Sequence, residues 1–218
     1  MTEERTVRAD HRQERRERRA QRHTREETRA ERREELLDAA MAGIRKHGAG
    51  ASMEVLAAEA GITKPILYRH FDDRAGLVNA IADRFATQLE HELLAAIEDV
   101  ADNTHEVLVR VVDAFVAYIE RDTALYRFIV SPRYDATVDL GGFLNRLSAY
   151  IAVGIGEQLR RDGRDSGGAE VIAHGVVAFV HASGDWWVDR QTMPRAQLVA
   201  YVADFLSTGF NGQWGSTE

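Results

Sequence analysis

Apolar residues recur every three or four positions along most of the chain, a spacing that predicts helices rather than strands. The first stripe begins near Thr28 and ends at Gly48 and Gly50, because glycine readily stops a helix. Its apolar members are Leu36, Leu37, Ala40, Met41 and Ile44. No segment alternates apolar and polar residues clearly enough to predict a strand. We therefore expect an all-α protein.

Two short helices follow, and a glycine separates them. Ser52 is a good N-cap for the first, and Thr63 can cap the second, which ends at Phe71. Pro65 falls in the first turn of the second helix, where its missing N–H costs little. Gly61 tolerates the positive φ that a tight turn needs. A helix-turn-helix has this arrangement, and its second helix enters the major groove of DNA. A generic helical hairpin with a polar exposed face has the same arrangement.

The remainder of the chain predicts six more helices, which makes about nine in all. Asp72 or Asp73 caps a long fourth helix, and Asn103 starts a fifth with a capping box to Glu106. A short sixth segment ends at Pro132. The last three helices are expected over about 136–161, 169–191 and 194–210. The last helix carries an apolar stripe larger than its own packing requires, which indicates a dimer interface. That stripe consists of Leu198, Val202, Phe205 and Leu206.

The composition excludes several classes of protein. The chain has 218 residues, of which 44% are hydrophobic and 29% charged, as is ordinary for a soluble globular protein of one or two domains. It has no cysteine, so disulfides and thiolate metal sites are impossible. No apolar run reaches about 18 residues, and no apolar region follows the arginine-rich start as it would in a secretory signal. We therefore expect no membrane partner and a cytoplasmic location.

Charge is divided unevenly along the chain. Residues 5–25 hold nine arginines against three acidic residues, whereas residues 36–218 hold 16 basic and 25 acidic residues. Because residues 1–28 contain almost no apolar side chains, they cannot form a core, and we expect a flexible arm. Its arginines could reach phosphates or an A·T-rich minor groove beside a bound site. The alternative is a solvated tail whose own acidic residues cancel that attraction.

The N-terminal part of the chain resembles a known family. Residues 52–71 read SMEVLAAEAGITKPILYRHF, preceded by LLDAAMAGIRKHG and continued by FDDRAGLVNAI. The combination includes the G-I-T-K run, the aromatic residues of LYRHF and a basic residue three positions after Phe71. On these motifs, residues 29–86 resemble the DNA-binding domain of the tetracycline-repressor (TetR) family of bacterial regulators.

The resemblance implies an architecture. The chain would be all-α with about nine helices, of which the first three bind DNA. A C-terminal domain would bind a ligand, and homodimers would form by pairing the last two helices. The expected division is an arm over 1–28, a helix-turn-helix domain over 29–75, and an effector-binding and dimerisation domain over 76–218.

The resemblance also implies roles for single residues. Thr63 corresponds to a capping residue that touches phosphate, and Lys64 to a contact with phosphate or a guanine edge. Tyr68 and His70 correspond to phosphate contacts, and Arg74 stands where the family usually has lysine. The full set expected to bind DNA is Ser52, Thr63, Lys64, Pro65, Ile66, Tyr68, Arg69, His70 and Arg74.

Two residues of this set depart from the family's pattern. Pro65 replaces a more common small residue, and Ile66 stands where threonine is frequent. Ile66 cannot hydrogen-bond a base edge, but it can pack on a thymine methyl group. Arg69 is then the best candidate for bidentate guanine readout, if it points into the groove. Leu67 and Phe71 are expected in the core.

The C-terminal half supplies many large apolar residues, most of them expected in the core or the dimer interface. The resemblance places an effector cavity between the fourth, fifth, seventh and eighth helices. The residues expected to face it are Phe115, Phe143, Ile151, Phe179 and Trp186. The stretch AFVAYIERDTALYRFIV also resembles actinobacterial TetR-type regulators that sense long-chain acyl-CoA, which implies an acyl-CoA, fatty acid or other apolar effector. The small residues Gly154, Gly156 and Gly184 favour close helix packing over room for that ligand.

His174, His181 and Asp185 lie at i, i+7 and i+11, on one helical face, a spacing that admits a metal site. Because the spacing places no further histidine or carboxylate beside them, we expect core or interface histidines instead. No metal and no cofactor are predicted.

The sequence therefore predicts a ligand-responsive repressor. It would bind an inverted-repeat operator on double-stranded DNA as a homodimer, and a small lipophilic effector would release it. The alternative is an architectural DNA-binding protein without an effector, with the arm as its main contact. An enzyme is not predicted, because the sequence has no Gly-rich phosphate loop, nucleophile elbow or HExxH pair.

Overall fold

The structure, a computed structural model, describes residues 27–100, 103–130, 140–161 and 163–212, with 140–143 and 210–212 described by backbone only. These residues form nine helices and no strand, which confirms the predicted all-α class. In chain order the helices are α1 (27–47), α2 (Met53–Glu59), α3 (Lys64–Phe71), α4 (Arg74–Ile97), α5 (Thr104–Arg121), α6 (Thr123–Val130), α7 (Leu140–Arg161), α8 (Ala169–Arg190) and α9 (Arg195–Gly212). We call α1–α3 the head and α4–α9 the body.

Side chains cap three helices at the predicted positions. Ser52, Asp73 and Asn103 each accept a hydrogen bond from the backbone N–H three residues later, at 3.4, 2.8 and 3.2 Å. These bonds satisfy N–H groups that would otherwise lack a partner at the start of a helix. Thr63 is the N-cap residue of α3, but its side chain makes no capping bond. Its hydroxyl therefore remains available for a contact outside the helix.

The head closes around the glycine turn between α2 and α3. Gly61 has φ +67°, the left-handed region that glycine adopts without strain. Leu36 and Ile44 of α1, Leu56 of α2 and Leu67 of α3 each expose 1% or less of their surface. Phe71, at the end of α3, is also buried. The prediction that Leu67 and Phe71 are core residues is confirmed.

The body is built around α5, which packs against α4, α8 and α9, while α7 packs against α8. Gly184 permits the close approach of α8 to α5, since a Cβ there would lie 2.6 Å from Phe115 Cε1 and 3.0 Å from Ile119 Cδ1. Close packing is thus the role of this glycine, as expected. A Cβ at Gly154 would have nothing within 4 Å, so packing does not explain that glycine.

The apolar stripe predicted on α9 is mostly not an interface. Leu198, Val202 and Leu206 are buried within the chain itself, on the helix that packs against α5. Only Phe205 of that stripe is exposed, at 64%. Using the stripe as the sign of a dimer was wrong, because the neighbouring helix of the same chain covers three of its four residues.

Candidate nucleic-acid interface and effector cavities

The helix α3 separates its core residues from its polar ones. Leu67 and Phe71 point into the head, whereas none of the nine residues predicted to bind DNA is buried. The most exposed of the nine are Ser52, Thr63, Pro65 and Arg69. The other five, Lys64, Ile66, Tyr68, His70 and Arg74, are partly exposed. The turn and α3 therefore present a mainly polar surface above the buried apolar residues Leu67 and Phe71.

Lys64 makes a contact that the sequence did not predict. Its Nζ donates a hydrogen bond to Glu54 Oε1 at 2.8 Å and lies 5.5 Å from the centroid of the Tyr68 ring. This hydrogen bond is the main reason why the pKa of Glu54 falls to about 2 and why the pKa of Lys64 is raised. Both groups are therefore charged at neutral pH. Glu54 lies on α2, ten residues before Lys64, so no spacing within one helix connects the two.

The Tyr68 side chain contacts both the apolar core and a charged group. Its ring packs against the apolar core of the head and lies beside the Lys64 ammonium group. Truncating Tyr68 to alanine would therefore remove core contacts as well as any contact with DNA. Replacing it with phenylalanine removes only the hydroxyl group and separates the two effects.

His70 lies among cationic side chains at the end of α3. Burial is the main cause that lowers its pKa, followed by the charges of Arg69, Arg29, Arg32 and Arg33. The Nδ1 atom of His70 is buried and has no hydrogen-bond partner among the described residues. The Arg33 guanidinium lies 4.7 Å from the centroid of the Phe71 ring, so the first turns of α1 lie beside this end of α3. Sequence spacing did not reveal this proximity, because the two segments are about 40 positions apart.

The body contains two cavities that share one wall on α4. The smaller, about 20 Å³, lies between α4, α5, α6 and α8 and is lined by Phe115, Tyr126 and His181 among others. The larger, about 170 Å³, lies between α4, α5 and α7 and is lined mainly by apolar side chains. Ala86 lines both. Only its small side chain is common to the two walls.

The five residues predicted to face one effector cavity do not lie around a single cavity in the structure. Phe115 lines the smaller cavity and Ile151 the larger one, and neither cavity is lined by Phe179 or Trp186. The Phe179 ring lies 4.8 Å from the Phe205 ring, centroid to centroid, between α8 and α9. Trp186 is largely exposed. The side chain of Phe143 lies outside the described part of the chain. Of the arm predicted over residues 1–28, residues 1–26 also lie outside it, and residues 27 and 28 belong to α1.

A polar group borders the smaller cavity. The Tyr126 hydroxyl donates to Asp185 Oδ1 at 3.1 Å and lies 3.4 Å from His181 Nε2. Burial raises the pKa of Tyr126 and lowers that of His181, so both are neutral at pH 7. His174, by contrast, is exposed and contacts the Glu170 carbonyl of its own helix. Among the described residues, no three histidine or carboxylate side chains are placed to hold a metal ion.

A glycine turn followed by an exposed polar helix, mounted on a three-helix apolar head, defines a helix-turn-helix DNA-binding protein. Comparison with known families agrees. Residues 36–81 match the family described as bacterial regulatory proteins, tetR family, and residues 92–214 match the one described as tetracyclin repressor-like, C-terminal domain. The chain belongs to the TetR family of bacterial transcriptional regulators. None of the helices described between residues 27 and 212 is long and apolar enough to span a bilayer.

Curated relatives come from mycobacteria. An uncharacterised HTH-type transcriptional regulator of Mycobacterium tuberculosis is 29% identical over 170 residues, which is 77% of this chain and 72% of that protein. The HTH-type transcriptional activator FasR of Mycolicibacterium smegmatis is 30% identical over 145 residues, 66% of this chain and 65% of FasR.

Solved structures share the fold. A TetR-family regulator from Syntrophomonas wolfei has a TM-score of 0.67 at 19% identity, covering 86% of this chain and 99% of its own. The regulator FadR from Bacillus subtilis, in complex with stearoyl-CoA, has a TM-score of 0.61 at 18% identity, covering 80% and 97%.

Proposed function

We propose that this transcriptional regulator is a ligand-responsive repressor that binds an inverted-repeat operator as a homodimer and leaves it when an apolar effector binds. The observation that carries the proposal is the exposed polar surface of α3 above buried Leu67 and Phe71. A DNA-binding regulator of this kind acts in the bacterial cytoplasm. Selection of bound sequences from random duplexes, followed by a reporter gene behind the selected site, tests it. If expression of the reporter rises when the protein is present, the protein is an activator at that site and not a repressor.

Lys64 is the residue that best tests the DNA contact, since the chain offers a matched control. Lys46 of α1 is also exposed and also bound to a glutamate, with Nζ 2.7 Å from Glu59 Oε1. Lys64→Ala should weaken operator binding by about 1–3 kcal/mol, and Lys46→Ala should leave it near the wild-type value. Equal affinity for all three proteins, with native circular dichroism, would contradict the proposed role of α3.

The homodimer is supported by exposed apolar residues on the last two helices. Val171 and Trp186 on α8 and Tyr201 and Phe205 on α9 all expose 45% or more of their surface. Phe205 extends outward from the contact between α8 and α9. An apolar surface of this kind usually marks an interface. A two-fold dimer also explains why the operator should contain inverted half-sites.

Sedimentation tests this interface. Phe205→Glu would place a charge on it and should shift the protein to monomers at micromolar concentration, with loss of binding to the paired half-sites. Val153→Glu is the matched control, because Val153 is equally exposed but lies on α7. A dimer that survives Phe205→Glu would show that α9 is not the interface.

The two cavities support an elongated apolar effector, such as a long-chain acyl group. Ala86 of α4 lines both, so a small outward shift of α4 would join them. FadR, with the same fold, was solved with stearoyl-CoA. An effector can release DNA only if it binds the released conformation more tightly than the DNA-bound one.

Thermal melting and DNA release test the effector. Palmitoyl-CoA should raise Tm and release the operator, whereas coenzyme A alone should do neither. Ala86→Phe would fill the shared wall and should abolish both responses while DNA binding persists; Ala95→Phe, on the exposed side of the same helix, should change neither. If no lipophilic ligand released DNA from the wild type, the architectural alternative would stand instead.

A further inference from the structure

The first turns of α1 carry charges of opposite sign on different faces. Arg29, Arg32 and Arg33 continue toward the N-terminus the same helical stripe that Leu36 and Ala40 form farther along. Leu36 and Ala40 are buried in the head, so the arginines extend the core-facing stripe beyond the end of the core. The interspersed acidic residues are Glu27, Glu31, Glu34 and Glu35. Helical spacing places Glu27, Glu31 and Glu34 on the other side of the helix, whereas Glu35 lies beside the stripe and binds Arg32.

The arginine stripe faces the end of the recognition helix. The Arg33 guanidinium lies 4.7 Å from the centroid of the Phe71 ring, which places α1 against the last turn of α3. Glu34 lies 3.7 Å from the Arg33 guanidinium and also binds Arg84 of α4. Arg29 and Arg32 are exposed, although Arg32 also contacts Glu35 at 2.6 Å. Together with Arg69 they concentrate positive charge at one end of the polar surface of α3, and this charge contributes to the lowered pKa of His70.

Folding stability does not account for this concentration. An exposed ion pair such as that of Arg32 and Glu35 contributes little to stability, and guanidinium groups gathered around one histidine repel one another. A polyanion bound at the same place would compensate that repulsion. The DNA backbone is the polyanion that the neighbouring α3 implies, because Arg33 of this cluster lies against Phe71 at the end of α3.

We propose that Arg29 and Arg32 bind backbone phosphates of duplex DNA at the edge of the groove that α3 enters. The proposal rests on the proposed function. The eight residues of α3 span about 12 Å, close to the roughly 12 Å width of the major groove. A helix of this length that crosses the groove has its two ends near phosphates of opposite strands. In this arrangement Lys64 binds phosphate at one end of α3, and Arg29 and Arg32 bind phosphate at the other end, beside Arg69. Guanidinium groups suit this role because they bind phosphate oxygens in pairs.

The test is a salt titration of DNA affinity. Arg29→Gln/Arg32→Gln should weaken binding to operator and to non-specific duplex alike. It should also flatten the dependence of log Kd on log salt by roughly 0.9 for each phosphate that the variant no longer neutralises. The preference for operator over non-specific duplex should remain. Arg29→Lys/Arg32→Lys keeps both charges and should retain most of the wild-type slope. Arg33 is left unchanged because it packs on Phe71.

The matched control removes two arginines from the body. Arg110→Gln/Arg160→Gln makes the same change in net charge, and both side chains are exposed. A slope equal to wild type in Arg29→Gln/Arg32→Gln would overturn the proposal, and so would the same flattening in the control. Either result with intact operator binding would leave the proposed function standing. A wild-type protein that bound no duplex DNA would overturn both.

Discussion

The head and the body use their apolar residues in opposite ways. The head buries its large apolar residues in one chain, and its exposed surface around α3 is polar. The body leaves Val171, Trp186, Tyr201 and Phe205 of α8 and α9 exposed, and two cavities lie along its helix α4. The head is therefore complete as a single chain, whereas the body has apolar surface that a second copy and a ligand would cover. This difference separates the helix-turn-helix head from the body, for which we propose effector binding and dimerisation.

The largest expected effect is a core truncation in the head. Leu67 is fully buried, so Leu67→Ala should lower the free energy of unfolding by about 2–5 kcal/mol. Phe205→Ala in the body removes an exposed ring and should change the free energy of unfolding of the protomer far less, while it weakens the dimer. Urea unfolding at low protein concentration, followed by circular dichroism, measures both. Equal losses would contradict the contrast between a closed head and an open body.

A second prediction concerns packing within the body. Gly184→Ala would place a Cβ against Phe115 and Ile119, and such overpacking should cost about 1–3 kcal/mol. Gly154→Ala meets no neighbour and should instead stabilise its helix by about 0.5–1 kcal/mol. Tm values of the two variants should move in opposite directions. A gain in Tm for Gly184→Ala would show that α8 can move away from α5 at little cost.

A third prediction concerns pH. Burial lowers the pKa of His181 in the folded chain, while Asp185 partly opposes that shift. The folded state therefore binds this proton less readily than the unfolded state, whose histidine pKa is about 6.5. The contribution of His181 to stability is fully present above that pH and is lost as pH falls toward the lowered pKa. His181→Gln should flatten the decline of Tm below about pH 6.5, whereas His174→Gln, on the exposed side of α8, should leave it unchanged.

The smallest effect is expected at Glu54. Its carboxylate holds Lys64 and stands beside the surface proposed to meet phosphate. Glu54→Gln should strengthen binding to every duplex modestly, because it removes a negative charge and frees the lysine. Glu59→Gln, which frees Lys46 on α1, is the control and should not. Fluorescence anisotropy with operator and non-specific duplexes measures the change; unchanged or weaker binding by Glu54→Gln would show that the pair positions Lys64 rather than restrains it.

Much of the head could be predicted from the sequence because its information is local. The glycine turn at Gly61, the caps at Ser52 and Asp73 and the buried positions of Leu67 and Phe71 all follow from spacing within about 20 residues. The helices of the body were predicted for the same reason. Their partners were not: Leu198 and Val202 appeared to form an interface, but they pack within the chain on the helix that lies against α5.

The sequence by itself determined the all-α class, the helix-turn-helix and the inward face of α3. Only the tertiary structure decided that Glu54 holds Lys64, that Arg33 of α1 lies against Phe71 of α3, and that Phe115 and Ile151 line separate cavities. The physical reason is that helical periodicity specifies which residues of one helix share a face. It carries no information about which other helix, ligand or second chain covers that face, since those contacts join residues far apart in the sequence.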